Sequence, residues 1–349
     1  MTDLNTPYRL PAEPQPLRSL LLLTGFVVLG SLLGGVLVVG LLGLASTING
    51  GAVSLVEVLQ APGSLRHGWW WLMIVQAVSH VSTFLLPALA YWRWGDHRAF
   101  AQFSVRPAGR VPSTAWLIVP LLVIAFMPLN GLFIEWNQNL HLPKTLEPLE
   151  RWMRSKEEQA AELTKFLTTF RTVPQFMLAL LVIGLLPAVG EEVLFRGLLQ
   201  RKFIAWTGNV HAGIWLAAAL FSAVHMQFLG FVPRMLLGAL FGYLLVWSGN
   251  LWVPILAHFV NNGFTVLMYF LYQNKLTSIN VDATESVPGW MAFASFVAST
   301  GLLVWFRREN LRTYNEQRLG KDIDDQAAAS GGVGESETGR AGYRRGDSQ

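Results

Sequence analysis

Residues 190–197 read Gly-Glu-Glu-Val-Leu-Phe-Arg-Gly and sit inside a long apolar run. Ionisable groups in such a run are costly to bury and point to function. On a helix, Glu192 and Arg196 are i, i+4 neighbours in the favourable order, acid before base. Glu191 points about 100° away from Glu192, so it has no counter-ion on its own helix. A desolvated carboxylate without a partner suits general-base work near neutral pH. Two more polar pairs lie in later apolar runs. Phe221 and His225 are four residues apart, as are His258 and Asn262, so each pair shares a helix face. A carboxylate, two imidazoles and an amide suit amide hydrolysis, which needs an activated water and N–H donors for the developing oxyanion.

Helices must carry these groups to one depth. Hydrophobic residues make up 52% of the 349-residue chain and charged residues 14%, against about 25% charged in soluble domains. One core could not hide that much apolar surface, so the chain reads as an all-α integral membrane protein. A spanning helix needs about 20 mostly apolar residues. Eight runs qualify: 17–45, 69–92, 113–134, 173–205, 211–227, 231–248, 251–273 and 287–306. They predict a bundle of about eight transmembrane helices. Counted from Thr207, Asn209 and Asn250 at ~1.5 Å per residue, Glu191 and His225 each lie ~24 Å deep, His258 ~12 Å and Asn262 ~18 Å. With tilts of about 20°, all four reach one cavity at mid-membrane depth.

The predicted organisation is a cytoplasmic N-terminal tail at 1–16, a transmembrane domain at 17–306 and a disordered cytoplasmic tail at 307–349. The first apolar run exceeds a signal-peptide core of about 7–15 residues, so it is read as retained. The last stretch is charged, rich in Gly and Ser and without apolar periodicity. Arg93, Arg98, Arg106 and Arg110, then Arg201 and Lys202, then Arg307, Arg308 and Arg312 all fall inside when both termini are cytoplasmic. Between spans three and four, Leu149, Trp152, Met153, Ala160, Leu163, Phe166 and Leu167 recur at helical spacing and predict an amphipathic helix on the outer surface. His80, among Ser79, Ser82 and Thr83, reads as an interhelical hydrogen-bonding group, Pro87 as a kink and Arg234 as a snorkelling residue. Gly30/Gly34 and Gly238/Gly242 read as close helix packing within the bundle. With no cysteine, disulfides and thiol chemistry are excluded. The net charge of +4 comes without a basic run beside interleaved aromatics, so nucleic acid is not a partner. The bilayer is, and in a bacterial cell that means the plasma (inner) membrane.

The motifs Glu-Glu-x-x-x-Arg, Phe-x-x-x-His and His-x-x-x-Asn, in this order on successive apolar segments, resemble the CAAX-processing and bacteriocin-immunity (CPBP) intramembrane protease family, which includes the type II CAAX prenyl endopeptidases. The resemblance covers about 172–273, the expected protease core. It implies an eight-helix fold that hydrolyses a peptide bond of a membrane-associated protein or peptide, prenylated CAAX-type proteins included. It also implies Glu191 as general base, His225 holding the water, His258 and Asn262 stabilising the oxyanion, and Glu192 with Arg196 orienting the site, with no cofactor.

Other readings stay open on the residues alone. Glu191, His225 and His258 have the donor chemistry of a catalytic zinc with an open fourth position, although no His-Glu-x-x-His helix is present. A non-proteolytic peptide-binding or bacteriocin-immunity protein is the rival from another class. A transporter is disfavoured because no inverted repeat is visible. Substrate identity and oligomeric state are not written in the residues. The topology is open to direct test. A reporter fused after Arg308 should be cytoplasmic and one inserted near Ala283 external; both on one side would overturn the eight-span count.

Overall fold

Apolar runs as long as a bilayer core is thick can satisfy their backbone groups only within the segment, as helix. Helix is what they form. The computed structural model describes residues 14–49, 62–65, 67–170, 172–279 and 286–331, together with Tyr8 and Val58. In chain order the helices are α1 (Pro16–Asn49), α2 (Gly68–Gly95), α3 (Ser113–Gln138), α4 (Glu147–Leu167) and α5 (Val173–Thr207). They are followed by α6 (Val210–Ala223), α7 (Phe231–Ser248), α8 (Trp252–Gln273) and α9 (Gly289–Gly331). Among the described residues, seven helices are long and apolar enough to cross a membrane, and α6 is a shorter apolar helix. The chain is a multi-pass membrane protein. The fifth predicted span, 211–227, is this shorter helix, ending at Ala223.

Two turns of matching sequence hold the helices that matter. Thr207-Gly208-Asn209 ends α5 with Gly208 in the left-handed region (φ 65°), and the Asn209 side chain accepts the N–H groups of His211 and Ala212 to open α6. Ser248-Gly249-Asn250 repeats the device (Gly249 φ 67°), with the Asn250 side chain accepting from Trp252 N at 2.9 Å. Gly238 and Gly242 pack α7 inside the bundle, as their spacing predicts. A Cβ on Gly238 would lie 3.2 Å from Ala218, and one on Gly242 would lie 2.7 Å from Gln200. The carbonyls these glycines expose accept from Arg196 and Gln200 respectively.

Helix α5 is not uniformly wound. Leu180–Leu185 and Phe195–Leu199 are π-helical, one on each side of the paired carboxylates. In α2, Val81–Leu85 is also π-helical. Each wide turn inserts a residue and re-aims the side chains beyond it. Pro87 and Pro187 lie two residues beyond two of them, so the effect expected of Pro87 takes the form of a wide turn ahead of it. A proline has no N–H to close the preceding α-turn.

Three expectations need correction. Arg201 and Lys202, counted among the inside charges, are not exposed to solvent. Both are buried, Lys202 in a 2.8 Å ion pair with Asp96 and Arg201 donating to Phe103 O over the Trp92 ring. Their stems pack while a neighbouring loop supplies the acceptors. Second, the segment after 306 is helical as far as Gly331, not disordered. A helix already nucleated in the bundle extends through Arg, Glu, Gln and Ala at little cost. Gln317 anchors it, accepting from Arg106 Nη2 at 3.0 Å and donating to Arg110 O at 3.1 Å. Residues 332–349, most of 1–13 and the 280–285 part of the loop chosen for an external reporter lie outside the described residues. Third, α4 is the predicted amphipathic helix, but its apolar face is covered unevenly. Leu163, Phe166 and Leu167 join the cluster around Trp69, whose indole N–H donates to Leu167 O, whereas Leu149 remains exposed.

Arg106 is buried, and its Nε and Nη1 have no partner among the described residues. Losing Gln317 therefore removes the acceptor seen by its Nη2. Gln317→Ala, or truncation before residue 315, should destabilise the protein by about 1–3 kcal/mol. Gln317→Glu should not. Thermal unfolding in detergent checks this; unchanged melting of the alanine variant would mean the contact is idle.

Candidate functional site

Glu192 is fully buried and Arg196 is 1% exposed. Arg196 Nη1 donates to Glu192 Oε1 at 2.8 Å and Nη2 donates to Gly238 O at 3.0 Å. The guanidinium lies over the rings of Phe221 (4.5 Å) and Phe241 (5.5 Å). His258 Nδ1 is 2.8 Å from the same Glu192 oxygen. A carboxylate only accepts, so Nδ1–H is the donor there. This leaves His258 Nε2 facing Glu191, 3.9 Å from its Oε2. The imidazole is stacked on Phe241 and met edge-on by Phe221. Helices α5, α6, α7 and α8 thus all touch one buried ion pair.

Glu191, next in sequence but turned to another face, lines a cavity of about 800 Å³. His225, His258 and Asn262 line it too. The structure therefore brings together all four predicted site residues, with Glu192 and Arg196 behind them. His225 is not on a helix face as predicted. It lies in the turn just past Ala223, before Met226 reverses the chain at φ 54°. Its Nδ1 still reaches Phe221 O at 2.8 Å. A carbonyl only accepts, so Nδ1 carries the hydrogen and the neutral ring has a bare Nε2. Asn262 donates to Ile183 O at a long 3.4 Å and accepts from Asn261 at 3.1 Å. Pro187, four residues beyond Ile183, has no N–H to offer that carbonyl.

Several lining groups stand outside the motifs. His80 of α2 is in the cavity wall, its Nδ1 3.9 Å from Glu191 Oε1. Arg234, expected to snorkel, instead lines the cavity and donates to Gln227 Oε1 at 2.7 Å. Gln227 lies in the loop that folds under α7, so it meets the guanidinium before any interface does. Glu157 of α4 closes the same side, and burial pushes its carboxyl up, opposed by nearby Arg234. The cost of ionisable groups inside apolar spans is the signal that could have found His80 and Arg234. Neither belongs to a motif, so spacing alone does not mark them for the site. Among the described residues, no three His, Asp or Glu side chains are grouped so that they could hold a metal ion. Glu191, His225 and His258 share a cavity rather than a point.

Fold and cavity define a multi-pass helical membrane protein whose proton-accepting and hydrogen-bond-donating groups converge among its helices. Residues 173–264 match the family described as type II CAAX prenyl endopeptidase Rce1-like. That segment, roughly a quarter of the chain, runs from the start of α5 into α8 and contains every motif residue from Glu191 to Asn262. The match bears out the resemblance over this segment. Among curated proteins, the uncharacterized protein YpbD of Bacillus subtilis (strain 168) is 32% identical over 114 residues, which is 32% of this chain and 53% of that protein. The chain thus spans about half the length of the curated relative it matches. No solved structure matches it.

The buried pair makes a distinct prediction about stability. Glu192→Gln strands Arg196 and should cost about 3–5 kcal/mol. The double change Glu192→Gln with Arg196→Gln should unfold at a higher temperature than the single one. A double variant less stable than Glu192→Gln would mean the guanidinium is held by Gly238 O and the rings alone.

Proposed function

We propose that the chain is an intramembrane endopeptidase of the CAAX type, hydrolysing a peptide bond of a membrane-associated protein or peptide through a water activated by Glu191 and His225. The observation that carries this reading is the convergence of Glu191, His225, His258 and Asn262 on one cavity, backed by a buried pair that holds two of their helices. His225, with Nδ1–H given to Phe221 O, can accept a water O–H at Nε2. Glu191 takes the proton as the water oxygen attacks the carbonyl, and later returns it to the leaving amine. The oxyanion that forms needs donors. Asn262 supplies an amide N–H, freed by breaking its long bond to Ile183 O. His258, with Nδ1–H given to Glu192, holds its Nε2 on the Glu191 side of the cavity.

A prenylated CAAX-type protein is the substrate class the family's description favours. The purified protein should therefore cleave an internally quenched, prenylated CAAX peptide in detergent or nanodiscs. Glu191→Gln and His225→Ala should each lower the rate by about 10²–10⁴. Asn262→Ala should retain measurable activity after a loss of about 10²–10³. A glutamate-type enzyme keeps its rate under a strong zinc chelator, whereas loss of activity restored by zinc would favour the metallo-type. A Glu191→Gln protein that inserts normally and cleaves at the wild-type rate would sink the mechanism. Intact peptide with the wild-type protein would favour the non-cleaving, peptide-binding alternative.

A further inference from the structure

Resting on that reading, we infer that His80 is a positioning residue for Glu191: its Nδ1–H is directed at the Glu191 carboxylate and holds it against the cavity wall, in line with the water it activates. Five observations carry this. His80 Nδ1 lies 3.9 Å from Glu191 Oε1, and His258 Nε2 lies 3.9 Å from Oε2, so an imidazole stands at each carboxylate oxygen. The other ring nitrogen, His80 Nε2, is shut off from solvent and has no hydrogen-bond partner among the described residues. It is wedged against the residue before Glu191: a Cβ on Gly190 would lie 2.9 Å from it. The ring is also stacked on Phe84 at 4.7 Å, and the π-helical turn Val81–Leu85 begins directly after His80.

The wedged nitrogen determines the tautomer. A buried N–H without an acceptor is rarer and costlier than a bare acceptor. The proton therefore belongs on Nδ1, on the side of Glu191. The 3.9 Å separation is too long for a hydrogen bond. Catalytic hydrogen bonds are often long in the free enzyme and tighten around the reacting complex, and a modest rotation of the Glu191 side chain closes this one. The other charged or titratable neighbours of Glu191 are already engaged. Glu192 holds Arg196 and His258, His225 holds Phe221 O, and Arg234 holds Gln227. Of the two imidazoles 3.9 Å from the Glu191 oxygens, His258 has given its Nδ1–H to Glu192, which leaves the His80 Nδ1–H as the ring donor on the carboxylate. It comes from α2, outside the segment 173–264 that carries the family match.

The test compares His80→Asn, His80→Gln and His80→Ala on the quenched prenylated CAAX peptide. An Asn amide N–H sits near the position of Nδ1, and a Gln amide near that of Nε2. His80→Ala and His80→Gln should lose about 10–100-fold in kcat, by analogy with loss of a group that orients a catalytic ligand, with KM unchanged. His80→Asn should restore most of the loss. Wild-type kcat in the alanine variant, equal losses in all three, or rescue by Gln but not Asn each overturns the assignment. Because a variant can fail to insert, ¹⁵N-histidine NMR of the wild-type protein provides a second measurement, with the His80 signal expected as the Nδ1–H tautomer. A proton on Nε2 overturns the inference whatever the variants do. Failure of wild-type protein to cleave, or full activity of Glu191→Gln, would instead count against the function proposed above and leaves the tautomer to be read by NMR.

Discussion

Glu192 and Arg196 meet where water does not reach, and the helices around them are arranged to make that tolerable. Withdrawing each charge from water costs several kcal/mol, and attraction offsets this only when the remaining hydrogen-bonding capacity is also filled. Here the α7 backbone supplies Gly238 O, α8 supplies the His258 N–H, and Phe221 and Phe241 cover the guanidinium with their faces. None of these contacts survives a shift of one helix by a turn. The pair therefore acts as a registration pin for α5, α6, α7 and α8, and the glycines of α7 are the condition for bringing a carbonyl that close.

Because adjacent residues on a helix face different ways, pinning Glu192 also aims Glu191. One member of the carboxylate pair is used up in structure so that the other can be presented, unpaired, to the cavity. His258 joins the two roles, with one nitrogen on Glu192 and the other facing Glu191. The π-helical turns on either side of these residues loosen the winding where side chains must be re-aimed, while the Gly-Asn turns keep the helix ends in register.

Much of this was legible in the residues. The spacing of Glu192 and Arg196 predicts their ion pair, and the glycines of α7 predict a close approach, because both depend on one helix period. Convergence of Glu191, His225, His258 and Asn262 followed from depth arithmetic on apolar runs. What escaped has physical causes as well. His225 leaves its helix because α6 stops at Ala223, and no glycine or proline marks that end. His80 carries no motif; what brings it to the cavity is packing against Gly190, a contact between helices far apart in sequence. Arg201, Lys202 and Arg234 have stems long enough to turn inward as easily as outward, so their direction is decided by neighbours rather than by spacing. The helix beyond 306 reads as unfolded because composition does not register that it inherits a finished first turn.

The cavity's size bears on when water reaches the carboxylate. At about 30 Å³ per molecule in the liquid, 800 Å³ corresponds to a droplet of roughly two dozen molecules rather than a single trapped one. Ringed by Gln76, Asn130, Asn261 and Thr265 as well as the site residues, such a droplet has hydrogen-bond partners on most sides. On the proposed function, hydration would precede arrival of the peptide, and an incoming backbone would have to expel solvent before its carbonyl reached Glu191. Such a site would be rationed by displacement of solvent, not by the supply of its second reactant.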